Sequence, residues 1–330
     1  MSPCQGASMT RRPLNPLFWT LAQIGSRVRS SAPAGVEDPP LQLPDPTTLR
    51  VPTRHGDVDV LVQRPAQPQS WTSKHPPVVV HLHGGGFVNR NPAQDRHIAR
   101  HLAAHLGAVV LLPDYDTAPT VHYPVAEEEA VDVVDWATAA GEEHGWDGQR
   151  LVLSGVSAGA KLSLNTCQQL HQAGRPRPLA AVLVVPVTDA VRTDRTSPTA
   201  RPAISPLVQR FVGWAYFPDT ARRREPLASP RLDPSLSEAM PPTLVLTAEH
   251  DTLATEGGEL ADVLRAGDVE VVHHQYPGVD HGFIGDDTAL ATVRDALERM
   301  VTFFRPHLGE PDAGENTTTR QTPPAAASDS

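Results

Sequence analysis

The chain has 330 residues, 39% of them hydrophobic and 20% charged, with 34 prolines, two cysteines and a formal net charge of −10. That length supports a buried core, and the negative charge argues against a protein that tracks a phosphate backbone, so nucleic acid is not an expected partner. Its longest apolar run, 179–187, is far shorter than the ~18 residues of a membrane span, and Cys4 and Cys167 alone build neither a disulfide framework nor a four-cysteine zinc site.

In chain order, Arg11-Arg12 comes first, followed by an amphipathic stretch at 14–29 (LNPLFWTLAQIGSRVR) and then Ala32-Pro33-Ala34. This layout resembles a twin-arginine export signal. Pro13 and Pro16 interrupt the stretch and Arg27 and Arg29 follow it closely, which favours a helix of a cytoplasmic protein instead. From 46 to 308 apolar or β-branched runs alternate with helical patterns. The strand runs fall at 48–53, 57–63, 77–82, 108–112, 151–156, 179–185, 243–248 and 269–275. The first two flank Arg54-His55-Gly56-Asp57, a hairpin signal. The later runs are continuously apolar, as strands buried on both faces are. Helical segments lie near 94–106, 124–140, 158–172, 256–266 and 288–305. This alternation predicts an α/β fold with a mostly parallel eight-stranded sheet flanked by helices. Ligands then bind beyond the carboxyl ends of the strands. Residues 309–330 have no aromatic side chain and no periodicity, the composition of a disordered tail.

Chemistry-bearing residues gather at those strand ends. Gly155-Val156-Ser157-Ala158-Gly159 joins a strand to a helix, the layout of a nucleophile elbow. A sharp turn there places Ser157 in a strained conformation, and only glycine or a very small residue fits two positions to either side. His83-Gly84-Gly85-Gly86-Phe87 follows another strand, and its unobstructed amides suit a developing oxyanion. Gly85 and Gly86 are the natural donors, with the amide of Ala158; Gly84 stands as the alternative to one of them. A serine nucleophile needs a base and an orienting acid, in the order Ser, Asp or Glu, His. Strand 243–248 ends at Glu249-His250-Asp251, and strand 269–275 leads to Asp280-His281. Asp251 and His281 are the preferred acid and base. Glu249 and Asp280 are rival acids, and His250, His273 and His274 rival bases. His81 and His83 share a strand face, but no third ligand accompanies them, so no metal site is expected.

These pieces together resemble the hormone-sensitive-lipase family of α/β-hydrolases, specifically its bacterial carboxylesterases. The matching segments are HGGGF at 83–87, DYDTAP at 114–119, GVSAG at 155–159, Pro-Val-Thr-Asp at 186–189, PPTLVLTAEHDTLATEG at 241–257 and DHGF at 280–283, spanning roughly 45–306. The resemblance implies an α/β-hydrolase fold with a helical cap, drawn from residues 1–45 and an insert at about 190–235. It implies a serine hydrolase of carboxylic esters with short to medium acyl chains, using Ser157, Asp251 and His281 and no cofactor. Val88 and Trp214 are the candidate pocket residues, Trp214 lying with Phe211 and Tyr216 in the insert. The chain also departs from the family. Val156 replaces the usual Asp or Thr before the serine. Asp116 stands where Arg is usual and Thr120 where Glu is usual, so a loop ion pair is expected to be missing. Thr252 replaces a common Pro, and Lys161 puts a cation near the start of the elbow helix, where the helix dipole disfavours it.

Two other functions remain open on the same residues. One is a transacylase or amide hydrolase, since the acyl acceptor is chosen by the cap. The other is a non-catalytic small-molecule binder on this fold, against which the intact serine, acid and base argue. The expected partner is a small-molecule ester and the expected location cytoplasmic. A homodimer is compatible with the sequence.

Overall fold

The computed structural model describes residues 33, 35–37, 40–66 and 75–309. The helix expected over 14–29, the arginine pair and residues 310–330 of the tail lie outside the described residues. Eight strands form one sheet: β1 (Thr47–Thr53), β2 (Gly56–Gln63), β3 (Pro77–Leu82), β4 (Val109–Pro113), β5 (Asp147–Val156), β6 (Ala181–Val184), β7 (Thr243–Ala248) and β8 (Val271–Tyr276). Their spatial order is β1-β2-β4-β3-β5-β6-β7-β8. β1 and β2 form the expected hairpin, β2 pairs antiparallel with β4, and every later pair is parallel. Because successive side chains point to opposite faces, Val78, Val80 and Leu82 of β3 enter one apolar cluster and Val79 enters the other. β5 starts four residues earlier than its apolar run. Of the added residues Asp147 pairs with Pro77 at the sheet rim, and the register then shifts so that Val78 meets Leu151 and residues 148–150 are passed over.

The main helices are α1 (Arg96–Leu106), α2 (Val125–Ala139), α3 (Ala158–Gln172), α4 (Pro206–Ala215), α5 (Ala254–Ala266) and α6 (Leu290–Leu308). α1 buries Ile98, Ala99, Leu102, Ala103 and Leu106, spaced for one helix face, and stops at Gly107 in the left-handed conformation (φ 61°). α1 and α6 cover one face of the sheet; α2, α3 and α5 cover the other. The segment between β6 and β7 carries α4, started by Ser205, whose side chain accepts the Val208 amide, with Pro206 in the first turn. No helix among the described residues is long and apolar enough to cross a membrane.

Lys161 departs most from expectation. It does not sit exposed to the helix dipole; its side chain is fully buried. Nζ donates to Glu127 Oε1 at 2.7 Å, Asn165 Oδ1 at 2.7 Å and the Leu227 carbonyl at 2.6 Å. The Phe87, Tyr123 and Phe217 rings lie around the ammonium at 5.4–5.9 Å. The other Glu127 oxygen accepts from Tyr216 Oη at 2.5 Å. Burial pulls the Lys161 ammonium down from its usual range, against the opposing pull of Glu127. One cation thus ties α3 to α2 and to the β6–β7 segment. Removing one partner of a buried pair leaves the other charge unpaired. Lys161→Met is therefore expected to lower unfolding free energy by about 3–5 kcal/mol in urea titrations, with Lys161→Met/Glu127→Gln recovering part of that loss.

Candidate active site

Ser157 sits between β5 and α3 with φ 56° and ψ −113°, a region that non-glycine residues rarely occupy. The flanking glycines are required sterically. A Cβ at Gly155 would stand 2.3 Å from the Gly159 carbonyl oxygen, and one at Gly159 would stand 1.9 Å from the Leu82 carbonyl oxygen. The Ser157 amide donates to the Val184 carbonyl at 2.8 Å, fixing the turn to β6. The result lifts the hydroxyl from the carboxyl edge of the sheet.

The loops after β7 and β8 reach that hydroxyl. His281 Nε2 lies 2.8 Å from Ser157 Oγ, and His281 Nδ1 lies 2.7 Å from Asp251 Oδ2. All three residues are buried, at 7%, 8% and 2% exposure for Ser157, His281 and Asp251, so water competes little for these bonds. The second Asp251 oxygen accepts the Leu253 amide at 2.9 Å, which orients the carboxylate. The rival residues are engaged elsewhere. Glu249 accepts the Gly278 amide at 2.7 Å; Asp280 accepts the amides of His281 and Ala203, each at 2.7 Å. His273 Nε2 on β8 meets Thr247 Oγ1 on β7 at 3.0 Å, and the ring of His274 packs against Tyr276. A hydroxyl, an imidazole and a carboxylate in this order can transfer a proton from an attacking serine and return it to a leaving group.

The glycine loop after β3 separates its three residues. The Gly84 amide donates to Asp95 Oδ2 at 3.3 Å and its carbonyl accepts from Gln94 Nε2 at 3.0 Å, so Gly84 belongs to the loop's scaffold rather than to the free donors. No acceptor lies against the amides of Gly85, Gly86 or Ala158 among the described residues. Gly85 has φ 128°, and a Cβ there would stand 2.7 Å from the Asn89 carbonyl oxygen. Val88 and Asn89 both donate their amides back to the Gly85 carbonyl, at 3.1 and 3.0 Å. Asp95 had no spacing signal in the sequence, yet it also meets His81 Nε2 at 3.2 Å, while His81 Nδ1 meets Ser154 Oγ at 3.0 Å. His83 directs Nδ1 at the Gly84 carbonyl, 2.6 Å away, and stacks on Tyr115. The two histidines therefore act as loop supports.

The ion pair expected to be missing from the 114–119 loop is present in another form. Arg90 pairs with both Asp114 and Asp116. Burial lifts the neighbouring Glu129 carboxyl to about 7, and Glu129 accepts the Asp116 amide at 2.7 Å. The β6–β7 segment then closes over the site. Val212 of α4 would lie 3.1 Å from a Cβ at Gly86. Trp214 and Val88 are half-buried and pack against the core, whereas Tyr216 is fully buried and belongs to the Glu127 network. Thr252 uses the hydroxyl that a proline would lack: it donates to the Ile204 carbonyl at 3.0 Å. Ser197 donates to the His250 carbonyl at 2.5 Å. Both loops that carry Asp251 and His281 are thus tied to the segment above them.

A family model described as alpha/beta hydrolase fold matches residues 79–285. The chain is 30% identical over 252 residues to a putative acetyl-hydrolase of Mycobacterium tuberculosis, covering 76% of this chain and 78% of that protein. It is 30% identical over 281 residues to an ethyl acetate hydrolase of Pseudomonas putida, covering 83% and 86%. Among solved structures it superposes on carboxyl esterase 2 of the fungus Tuber melanosporum with a TM-score of 0.74 and 26% identity, covering 90% of this chain and 100% of that one. The glycine loop, the β5–α3 serine turn and strands β4 to β8 fall inside the matched span, and the chain belongs to the alpha/beta hydrolase fold family, among its hormone-sensitive-lipase-like esterases.

Proposed function

We propose that the chain is a carboxylesterase in which Ser157 is the nucleophile, His281 the general base and acid, and Asp251 the group that orients it. The observation that carries this reading is the unbroken chain from Asp251 through His281 to Ser157, with bonds of 2.7 and 2.8 Å, ending on a serine held at φ 56°. Ser157 Oγ attacks the ester carbonyl carbon as its proton passes to His281 Nε2. The carbonyl oxygen becomes an oxyanion and accepts from the amides of Gly85, Gly86 and Ala158, each donor contributing on the order of 3 kcal/mol in such sites. Asp251 holds Nδ1–H and stabilises the imidazolium. The tetrahedral intermediate collapses, His281 gives its proton to the departing alcohol, and an acyl-enzyme remains. Water, deprotonated by His281, then attacks the acyl carbon and releases the acid.

The substrate reading is an ester with a short acyl group. Its support is twofold. The named relatives include an acetyl-hydrolase and an ethyl acetate hydrolase. Within this chain, α4 brings Val212 beside the glycine loop, its side chain 3.1 Å from where a Cβ on Gly86 would stand, which favours a small acyl group there. Trp214 on the same helix and Val88 beside the glycine loop are assigned to the wall of that space. Residues 1–45 and 190–235 are assigned to the cap, with 46–308 as the hydrolase core.

Ser157→Ala is expected to cut turnover of p-nitrophenyl acetate by ~10⁴ or more; near-wild-type turnover removes the nucleophile assignment. Asp251→Asn is expected to lose on the order of 10⁴ in kcat, while Glu249→Gln stays close to wild type; the reverse pattern reassigns the acid. An acyl series from acetyl to octanoyl esters is expected to show kcat/KM falling with chain length. Trp214→Ala is expected to raise the octanoyl-to-acetyl ratio, and an unchanged ratio takes Trp214 out of the pocket.

A further inference from the structure

Away from the serine, α1 carries two histidines one turn apart, His101 and His105. Side chains at i and i+4 share one face of a helix, and the two rings lie with centroids 4.2 Å apart. α6 runs beside α1, both packed into the same apolar cluster. It presents Glu298 to the pair, with Glu298 Oε1 3.4 Å from His101 Nε2. One ligand atom from each of the three residues fits within 4.8 Å of the others. His101 Nε2 is buried and has no hydrogen-bond partner, so the nitrogen nearest the carboxylate is left unsatisfied by the protein.

We propose that His101, His105 and Glu298 form a binding site for a zinc-type divalent transition ion that clamps α1 to α6. Two imidazole nitrogens and one carboxylate make the donor set that zinc takes, whereas magnesium and calcium require all-oxygen shells. A tetrahedral ion ~2.1 Å from its ligands sets them about 3.4 Å apart, the separation already held between His101 and Glu298. Closing the remaining gap needs only side-chain rotation at His105 and Glu298, both of which reach the surface. The Glu298 side chain is 60% exposed, which gives an ion its entry path and leaves the fourth position to water. Arg305 of α6 already donates to the His105 carbonyl at 3.1 Å, so a second link holds the two helices in register.

The clamp stabilises rather than reacts. α1 follows Asp95, which holds the Gly84 amide, and carries His97, whose Nε2 meets the Ile284 carbonyl at 2.8 Å just beyond His281. Fixing α1 against α6 therefore stiffens the supports behind both the glycine loop and the base loop.

The test is equilibrium dialysis of the full chain against Zn²⁺, paired with thermal melts with and without the ion. Wild type is expected to bind one zinc ion that His105→Ala lacks, and Glu298→Gln is expected to weaken that ion at least tenfold. Zinc is expected to raise the wild-type Tm and leave that of His105→Ala unchanged, with no effect of Mg²⁺ on either. Both variants are expected to keep metal-free ester turnover, which shows they are folded. Absence of zinc binding by wild type, or wild-type binding curves in both variants, overturns the proposal.

Discussion

The close approach of the β5–α3 turn to the end of β3 is the constraint on which the site depends. With no Cβ at Gly159, its backbone comes against the Leu82 carbonyl, which leads directly into the glycine loop. The same absence at Gly155 lets the strand pass the start of the helix. Ser157 is forced to positive φ between them. One steric contact therefore sets the height of the hydroxyl, the position of the Ala158 amide and the distance to the amides of Gly85 and Gly86. Backbone strain of this kind persists only where its surroundings over-determine it. Here those surroundings are the central parallel strands β3, β5 and β6, which are buried on both faces where they flank the turn.

The second layer converts that rigid centre into a covered one. The Asp251 and His281 loops do not end at their own hydrogen bonds; they continue into the β6–β7 segment through Thr252, His250 and Asp280. The base of that segment is anchored electrostatically. Arg231 donates to Asp189 Oδ2 at 2.9 Å, and Arg195 Nε donates to Glu256 at 2.5 Å. Burial pushes the Asp189 carboxyl up, but Arg231 and the Val191 amide outweigh it and hold the group below the usual carboxylate range. Lys161 anchors the same segment from beneath through Leu227. Such buried groups are stable because each finds a partner of opposite charge or a carbonyl; singly they would be costly.

Much of this was legible in the sequence because it is local. All eight strands and the five longer core helices announce themselves by continuous or periodic apolar runs, and the elbow by its glycines. The loops of Asp251 and His281 follow from chain order and the ends of the last two strands, with the choice among rival acids and bases resting on the family resemblance. What was hidden is long-range. Lys161 reads as an ill-placed cation until α2 brings Glu127, 34 residues distant, to 2.7 Å. Asp95 has no motif, and its grip on the Gly84 amide helps to separate that glycine from Gly85 and Gly86. Arg90 pairs with Asp114 and Asp116 and so replaces an ion pair that the family resemblance suggests is lost. Polar partnerships across tens of residues leave no periodicity, so only the folded chain displays them.

The most direct measurement is reaction of the full chain with a fluorophosphonate, followed by mass spectrometry of the labelled peptide. If the strained serine is activated by His281, wild type carries a single adduct on Ser157, and His281→Ala carries little or none on the same timescale. An adduct on a different serine, or labelling of Ser157 that is as fast without His281, contradicts it.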